Sequence, residues 1–149
     1  MIRKRESGRK TGLPDPSAVR ARLRSTGERV TASREQVLAA LMAADRALTH
    51  HELEAAMGPA PLDRVTLYRV LDWLVTQRLA HRMSGVDRVW RYSIADKAHE
   101  SHAHFQCGQC GKVLCLEDVT TGRLPVRVPK GYQAEGVELT VTGHCAECA

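Results

Sequence analysis

Aromatic residues are scarce: the 149-residue chain holds one Phe, two Trp and three Tyr. Any core must therefore rest on Leu, Val and Ala. Long apolar runs are also missing. None approaches the ~18 residues that a membrane-crossing helix needs, so no membrane partner is expected. The basic start, Met1-Ile-Arg-Lys-Arg-Glu6, is not followed by the apolar stretch of a secretory signal. Apart from a pair of cysteine knuckles, no internal repeat is found. The expectation is a soluble cytoplasmic protein of one ordinary domain or two small ones, at ~100–200 residues per domain. In that compartment the five cysteines are expected as thiolates or metal ligands rather than disulfides.

Charge and metal-binding residues are skewed to opposite ends. Residues 1–34 carry ten Lys/Arg against three Asp/Glu, whereas residues 35–149 carry twelve against fourteen. All five cysteines lie between Cys107 and Cys148, with His99, His102, His104 and His144 in the same half. A basic front and a thiol-rich back suggest two jobs on one chain.

The periodicity divides the chain accordingly. Residues 1–16, with Gly8, Gly12, Pro14 and Pro16 among charges, read as a flexible basic arm. Ser17 is expected to cap a short helix carrying Val19 and Leu23 and ending near Gly27. Ser33-Arg-Glu-Gln36 has capping-box spacing ahead of the stripe Val37, Leu38, Leu41 and Met42. Thr49-His-His-Glu52 is a second capping box, opening a helix with Leu53, Ala56 and Met57 inward until Gly58 and Pro59 stop it. Asp63 is expected to cap a fourth helix whose buried face carries or adjoins Val65, Leu67, Val70, Leu71, Leu74 and Val75. The period then changes. Leu79–Met83 and Arg88–Ser93 read as strands joined through Ser84-Gly-Val-Asp87. Short helices followed by a hairpin describe a winged helix-turn-helix over 17–94, with 63–77 as recognition helix. A hinge is placed at 95–101 and a second, metal-binding domain at 102–149. There, strands are expected at His102–Cys107, Lys112–Leu116 and around Val137, Leu139 and Val141, which alternate with polar residues. Residues 118–130 stay ambiguous because Gly122, Pro125 and Pro129 oppose a long helix. The fold class is thus α+β.

Cys107-Gly-Gln-Cys110 and Cys145-Ala-Glu-Cys148 supply four soft sulfur ligands, the set of a closed tetrahedral structural zinc site. Such a clip would tie the end of the chain to the start of a domain small enough to need one. A redox CxxC would not call for the second knuckle. Left over for a second, regulatory zinc site are His81, His102, His104 and Cys115, with His99 as a further candidate. His102 and His104 alternate on one strand face, Cys115 lies on the neighbouring strand, and His81 precedes the wing. A site drawing on both sides of the hinge could fix one domain against the other. The alternative is that these histidines are ordinary surface residues and Cys115 a small core residue. His50 and His51 read as helix-capping residues.

On the recognition helix, Arg64, Thr66, Tyr68 and Arg69 form the expected DNA face. Arg69 is assigned to a base edge, and Arg64 and Thr66 to phosphate. Tyr68 packing in the core, and Arg69 pairing with Asp72, are the alternatives. Arg22 and Arg24, with Arg20 and Arg29, would make sequence-independent backbone contacts. Enzyme readings fare poorly. His51-Glu52 begins a metalloprotease motif, but Ala55 stands where the second His is needed. A deaminase needs Pro before its CxxC, and Gln106 stands there. No catalytic residue and no small-molecule substrate are expected.

Four segments together resemble the ferric uptake regulator superfamily of metal-dependent repressors: Arg29–Leu38, Val65–Leu74, His102–Gly111 and Gly143–Cys148. The resemblance implies a homodimer that binds near-palindromic double-stranded operators of metal-uptake genes when loaded with metal. It places Thr66–Arg69 on the recognition helix and makes the His102–Gly111 run the opening of the dimerisation domain. Many iron sensors of the family carry His-His-Asp-His where this chain has Ser101-His-Ala-His104. Zinc sensors commonly carry a His at the position of His81, and Cys115 stands near a customary glutamate ligand. These features favour the zinc uptake regulator branch, with iron(II), manganese(II) or peroxide sensing as the alternative.

Overall fold

The computed structural model describes residues 12–85, 87–95, 103–116, 126–134 and 137–149. Residues 1–11 of the expected arm (1–16), 96–101 of the expected hinge (95–101) with His99, His102 at the start of the second domain, and most of the ambiguous stretch (118–130) lie outside the described residues. The elements run α1 (Pro16–Arg24), α2 (Ala32–Ala43), α3 (His50–Ala56), α4 (Arg64–Thr76), β1 (Ala80–Ser84), β2 (Trp90–Ile94), β3 (Ala103–Cys107), β4 (Val113–Leu116) and β5 (Leu139–Gly143). β1 and β2 form an antiparallel hairpin, while a second sheet has the order β4-β3-β5, with β3 and β5 parallel. This is the winged helix-turn-helix followed by a small sheet with a cysteine cluster.

Local chemistry accounts for the helix starts. Asp15, not Ser17, caps α1: its carboxylate accepts from the Ser17 amide at 3.0 Å, and Pro16 takes the first helical turn, where a missing N–H costs nothing. α2 is capped by Thr31, which accepts from the Arg34 amide at 3.3 Å, so the box expected at Ser33–Gln36 gives way to a cap two residues earlier. The Thr49 box forms as expected, with Thr49 Oγ1 accepting from the Glu52 amide at 3.3 Å and Glu52 Oε2 accepting from the Thr49 amide at 2.8 Å. Asp63 caps α4 through the Thr66 amide at 3.0 Å. Thr49→Ala removes one half of a two-bond box and is expected to cost ~1 kcal/mol, read as a lowered urea midpoint at unchanged slope.

The core is aliphatic, as the scarcity of aromatics requires. Leu23 from α1, Val37, Leu38 and Leu41 from α2, Leu53 from α3, and Leu67, Leu71 and Leu74 from α4 are fully buried, and Tyr92 and Ile94 of the hairpin close it. Three sequence expectations fail here. Val65 is 59% exposed because it lies on the outward side of the first turn of α4. Ala56 is exposed at the end of α3. In β5, Val141 is 43% exposed, since this strand is an edge of its sheet and nothing within the described chain covers that row.

β2 explains how the halves meet. Its residues Arg91, Tyr92, Ser93 and Ile94 are all buried, which a strand in an isolated hairpin could not be. Tyr92 and Ile94 face the helices. Alternation turns Arg91 and Ser93 to the other face, with their cross-strand partners Met83 and His81. That second face packs on the β3–β4 sheet: Met83 clusters with Val113 and Ala47, and Ser93 Oγ lies 3.9 Å from Cys115 Sγ. The loop before α3 joins both. The Leu48 and Tyr92 backbones exchange two hydrogen bonds of 2.8 Å, and the Ala47 amide donates to the Val113 carbonyl at 3.2 Å. The wing is therefore the middle layer between the helices and the second sheet.

Candidate metal centres and nucleic-acid interface

Cys107 ends β3, and Cys145 follows β5. The parallel register sets Cys107 opposite Gly143, and the Gly108 amide donates to the Gly143 carbonyl at 2.8 Å. The two knuckles are thus brought together by backbone pairing. The Cys110 turn closes with the Gly111 amide on the Cys107 carbonyl at 3.0 Å, Gly111 taking a φ of 73° that a side chain would resist. The ligand atoms of Cys107, Cys110, Cys145 and Cys148 all lie within 4.8 Å of one another. Cys110 Sγ and Cys145 Sγ are 3.7 Å apart. That is far beyond a disulfide bond of about 2 Å. It matches the ~3.8 Å edge of a tetrahedron with metal–sulfur distances of ~2.3 Å. None of the five cysteines forms a disulfide.

Electrostatics also fit a cation. The amides of Cys110 and then Cys145 donate toward Cys107 and hold its thiol down at about 6. Hydrogen bonds with the Cys145 and then the Cys110 sulfur favour the protonated form and push the Cys148 thiol up to about 12. The backbone supports a first thiolate, while a full set needs a dication among the sulfurs. Among the described residues, no other group of three or more His, Cys, Asp and Glu is gathered in this way.

Three of the residues expected at a second site, His81, His104 and Cys115, lie along the junction between the hairpin and the second sheet. His81 pairs with Ser93 across the hairpin, His104 pairs with Cys115 across the second sheet, and the Ser93–Cys115 contact links the two pairs. The Nε2 atoms of His81 and His104 are shielded from solvent. His81, Cys115 and His104 thus share one interface without the close convergence of the four cysteines. His144, beside the second knuckle, is exposed. Ser93, the hydroxyl between the two halves, was not found from sequence. One serine in a strand carries no signal until its partner across the junction is known.

The residues expected to face DNA lie on or beside α4. Arg64, Tyr68 and Arg69 are exposed, whereas Leu67, Val70, Leu71 and Leu74 are buried. Tyr68 is therefore outside the core, 38% exposed, with its ring 5.4 Å from that of His50. Burial, then the neighbouring His51 charge, lowers the pKa of His50. Asp72 engages Arg82 at 3.6 Å. Thr66 donates its hydroxyl to the Asp63 cap, leaving only acceptor capacity toward a partner, which is a poor match to phosphate. Arg24 is exposed beside the helices, whereas Arg22 turns inward to the Ala95 carbonyl at 3.4 Å. Arg22 is half-buried there, so one of its guanidinium donors is already directed to that carbonyl. Arg34, unassigned from sequence, stacks 3.6 Å over the Trp73 ring.

A helix-turn-helix with an outward basic helix, wedged through its wing against a sheet that carries a four-thiol metal clip, defines a metal-responsive DNA-binding regulator. The model of the ferric uptake regulator family matches residues 25–142, and the chain belongs to that family. It is 26% identical over 124 residues to the zinc uptake regulation protein of Escherichia coli (strain K12), covering 80% of this chain and 72% of that one. A zinc uptake regulator complexed with zinc and DNA shares the fold with a TM-score of 0.62 at 22% identity, over 89% of this chain and 91% of that one. The Helicobacter pylori ferric uptake regulator, described as having three functional metal-binding sites, gives 0.60 at 20% identity, over 91% and 95%. Among the described residues, no helix is long and apolar enough to cross a membrane.

Proposed function

We propose that this chain is a cytoplasmic, zinc-responsive transcriptional repressor that binds palindromic operators of metal-uptake genes as a zinc-loaded homodimer. Residues 17–94 form the DNA-binding domain, 95–101 the hinge and 102–149 the dimerisation and metal-binding domain. The observation that carries the reading is the line His81–Ser93–Cys115–His104, which spans the junction between wing and second sheet.

The four knuckle cysteines would hold a structural zinc. His81, His104 and Cys115, with His102 and His99 adjoining in sequence, would hold the regulatory ion. Sulfur and imidazole suit zinc better than iron(II), which leans toward nitrogen and carboxylate. Zinc supplies a charge on which ligands from both sides of the junction converge. His81 is fixed by the hairpin and His104 by the second sheet, so their shared engagement selects one placement of the wing and recognition helix. The resemblance to zinc uptake regulation proteins supports the same ion. The exposed row of the edge strand β5, including Val141, supports a second copy as partner. Two recognition helices could then face successive major grooves about one turn apart. Arg69 would read a base edge, Tyr68 would add an apolar contact, and Arg64 and Arg24 would meet phosphates.

The test is operator binding by protein chelated gently enough to keep roughly one tightly held zinc per chain, on DNA upstream of zinc- and iron-uptake genes. Buffered zinc is expected to raise affinity ~5–150-fold, the usual range of an allosteric coupling. Rescue by iron(II) or manganese(II) instead would move the protein to another branch of its family. Equal binding without added metal would leave only the structural ion.

A further inference from the structure

A wing normally offers its arginines to DNA phosphate. Here Arg91 does the reverse. It is 7% exposed, and its guanidinium meets Asp87 in a fork, Nη1 donating to Oδ1 at 2.9 Å and Nη2 to Oδ2 at 2.7 Å. Nη1 also donates to the Val89 carbonyl at 3.3 Å. Asp87 in turn accepts from the Val89 amide at 3.1 Å. One side chain thus gathers the wing turn around itself. Its outer side rests on the knuckle: a Cβ at Gly111, whose φ is 73°, would lie 2.7 Å from Nη2, so a side chain there would push the guanidinium aside. A Cβ at Gly85 would lie 2.7 Å from Nη1 and 2.6 Å from Asp87 Oδ1. The ion pair is therefore closed between a glycine of the wing and the glycine that follows Cys110.

We propose that Arg91 is a positioning residue that latches the wing to the Cys107–Gly111 knuckle, so that the four-cysteine site sets the wing's position as well as stapling its own sheet. The proposal rests on the regulator reading only for its consequence in DNA binding. Asp87 and Arg91 hold the wing turn, Gly111 seats the guanidinium, and the knuckle keeps Gly111 in its left-handed turn. Loss of the fork would free the wing while leaving both the cysteine ligands and the helical core in place. Arg91 touches neither the expected DNA face nor the candidate ligands His81, His104 and Cys115 in any contact described above.

The test is amide hydrogen exchange on the full-length, zinc-loaded chain, comparing the parent with Arg91→Met, Arg91→Lys and Asp87→Asn. Gly85, Arg88 and Val89 amides are bonded within the wing turn and report on it directly. Arg91→Met is expected to speed their exchange ~10-fold or more, as loss of a charged hydrogen-bonded pair implies, while Leu71 in the core is unchanged. Tightly held zinc should stay near one per chain. Arg91→Lys, which keeps the charge but not the fork, should recover part of the protection. Should Arg91→Met fail to fold, Asp87→Asn asks the same question from an exposed position. Wing exchange equal to the parent's in the folded variants would overturn the latch. Operator affinity, measured at saturating zinc, should fall in step with wing protection while zinc affinity does not change. A drop in operator affinity with the wing still protected would overturn it too. A protected parent wing that loosens in the variants, in a protein that binds no operator, would instead keep the latch and sink the regulator reading.

Discussion

Replacing Cys145 with serine is expected to strip the chain of its tightly held metal and, with it, the order of the second sheet. That sheet has little else to stand on. Its three strands span five, four and five residues, and β5 leaves Val141 and its neighbours exposed. Few of its residues reach the buried core: Ala103, Gln106, Cys107, Val113 and Cys145. The parallel pairing of β3 with β5 joins segments more than thirty residues apart, a closure whose entropic cost must be met by something at its end. The clip sits there, with Cys107 and Cys145 at the ends of the paired strands and Cys145 donating its amide to Cys107 Sγ at 3.4 Å. Structural zinc contributes an apparent ~10–16 kcal/mol in small thiolate domains at neutral pH, which exceeds what so small a core supplies. Serine is isosteric with cysteine but is a weak ligand, so the change isolates coordination from packing. Metal content and unfolding of the second sheet, followed by its amide exchange, check the outcome. Cys115→Ser is the control, expected to keep the structural metal and lose zinc response. A Cys145→Ser chain that kept one zinc and a protected β3 would mean that three cysteines and another group suffice.

The elements that proved legible share a cause. Capping signals at Thr49 and Asp63, the 3.6-residue stripe of α4 and the paired CxxC motifs are local, with partners a few residues away or identical motifs to match. The misses are contacts that only tertiary structure brings about. Ser33 offers a capping box because the third residue after it, Gln36, carries an amide side chain, yet α2 is capped two residues earlier by Thr31 and Gln36 spends its amide on the Ala60 carbonyl at 2.8 Å, bracing the helix-turn-helix loop. Val65 follows the apolar pattern of α4 but lies outside the arc the other helices cover. β2 reads as one strand of a hairpin wing and is buried on both faces, since its second face meets a sheet about twenty residues further on. The same fact hid Ser93 and the inward turn of Arg91. Asp87 and Arg91, four residues apart across a turn, did offer a charge signal, but its burial depends on Gly111. The four-cysteine site was legible in full. At the junction, His81, His104 and Cys115 were legible as candidate ligands by residue type, and the candidates His99 and His102 lie outside the described residues.

Arg69→Ala is expected to weaken operator binding sharply while leaving zinc binding as it is. The residue is exposed on α4, two positions from the core residues Leu67 and Leu71 on either side, so its truncation opens no cavity. Asp72, the acid one turn on, is engaged by Arg82, and Arg82 also lies 4.6 Å from the Trp90 ring. Arg69 can thus be directed toward DNA without giving up that pairing. The Asp63 cap fixes the start of α4, and Tyr68 is held against His50 at the other helix of the motif, so the turn expected to face the bases would enter the groove already ordered. A bidentate guanidinium on a base is worth ~1–3 kcal/mol, and a dimer applies it once in each half-site, giving ~2–6 kcal/mol for the pair, or roughly 30-fold to more than 10⁴-fold in affinity. A phosphate contact would behave differently: its loss would weaken all sequences alike and reduce the salt slope by about one per site. Measuring operator and scrambled DNA across a salt series separates the two. Loss confined to the operator, at an unchanged salt slope, assigns Arg69 to a base. A uniform loss with a shallower slope moves it to the backbone and leaves Tyr68 as the reader on this helix. Unaltered binding to both would take α4 out of the groove altogether.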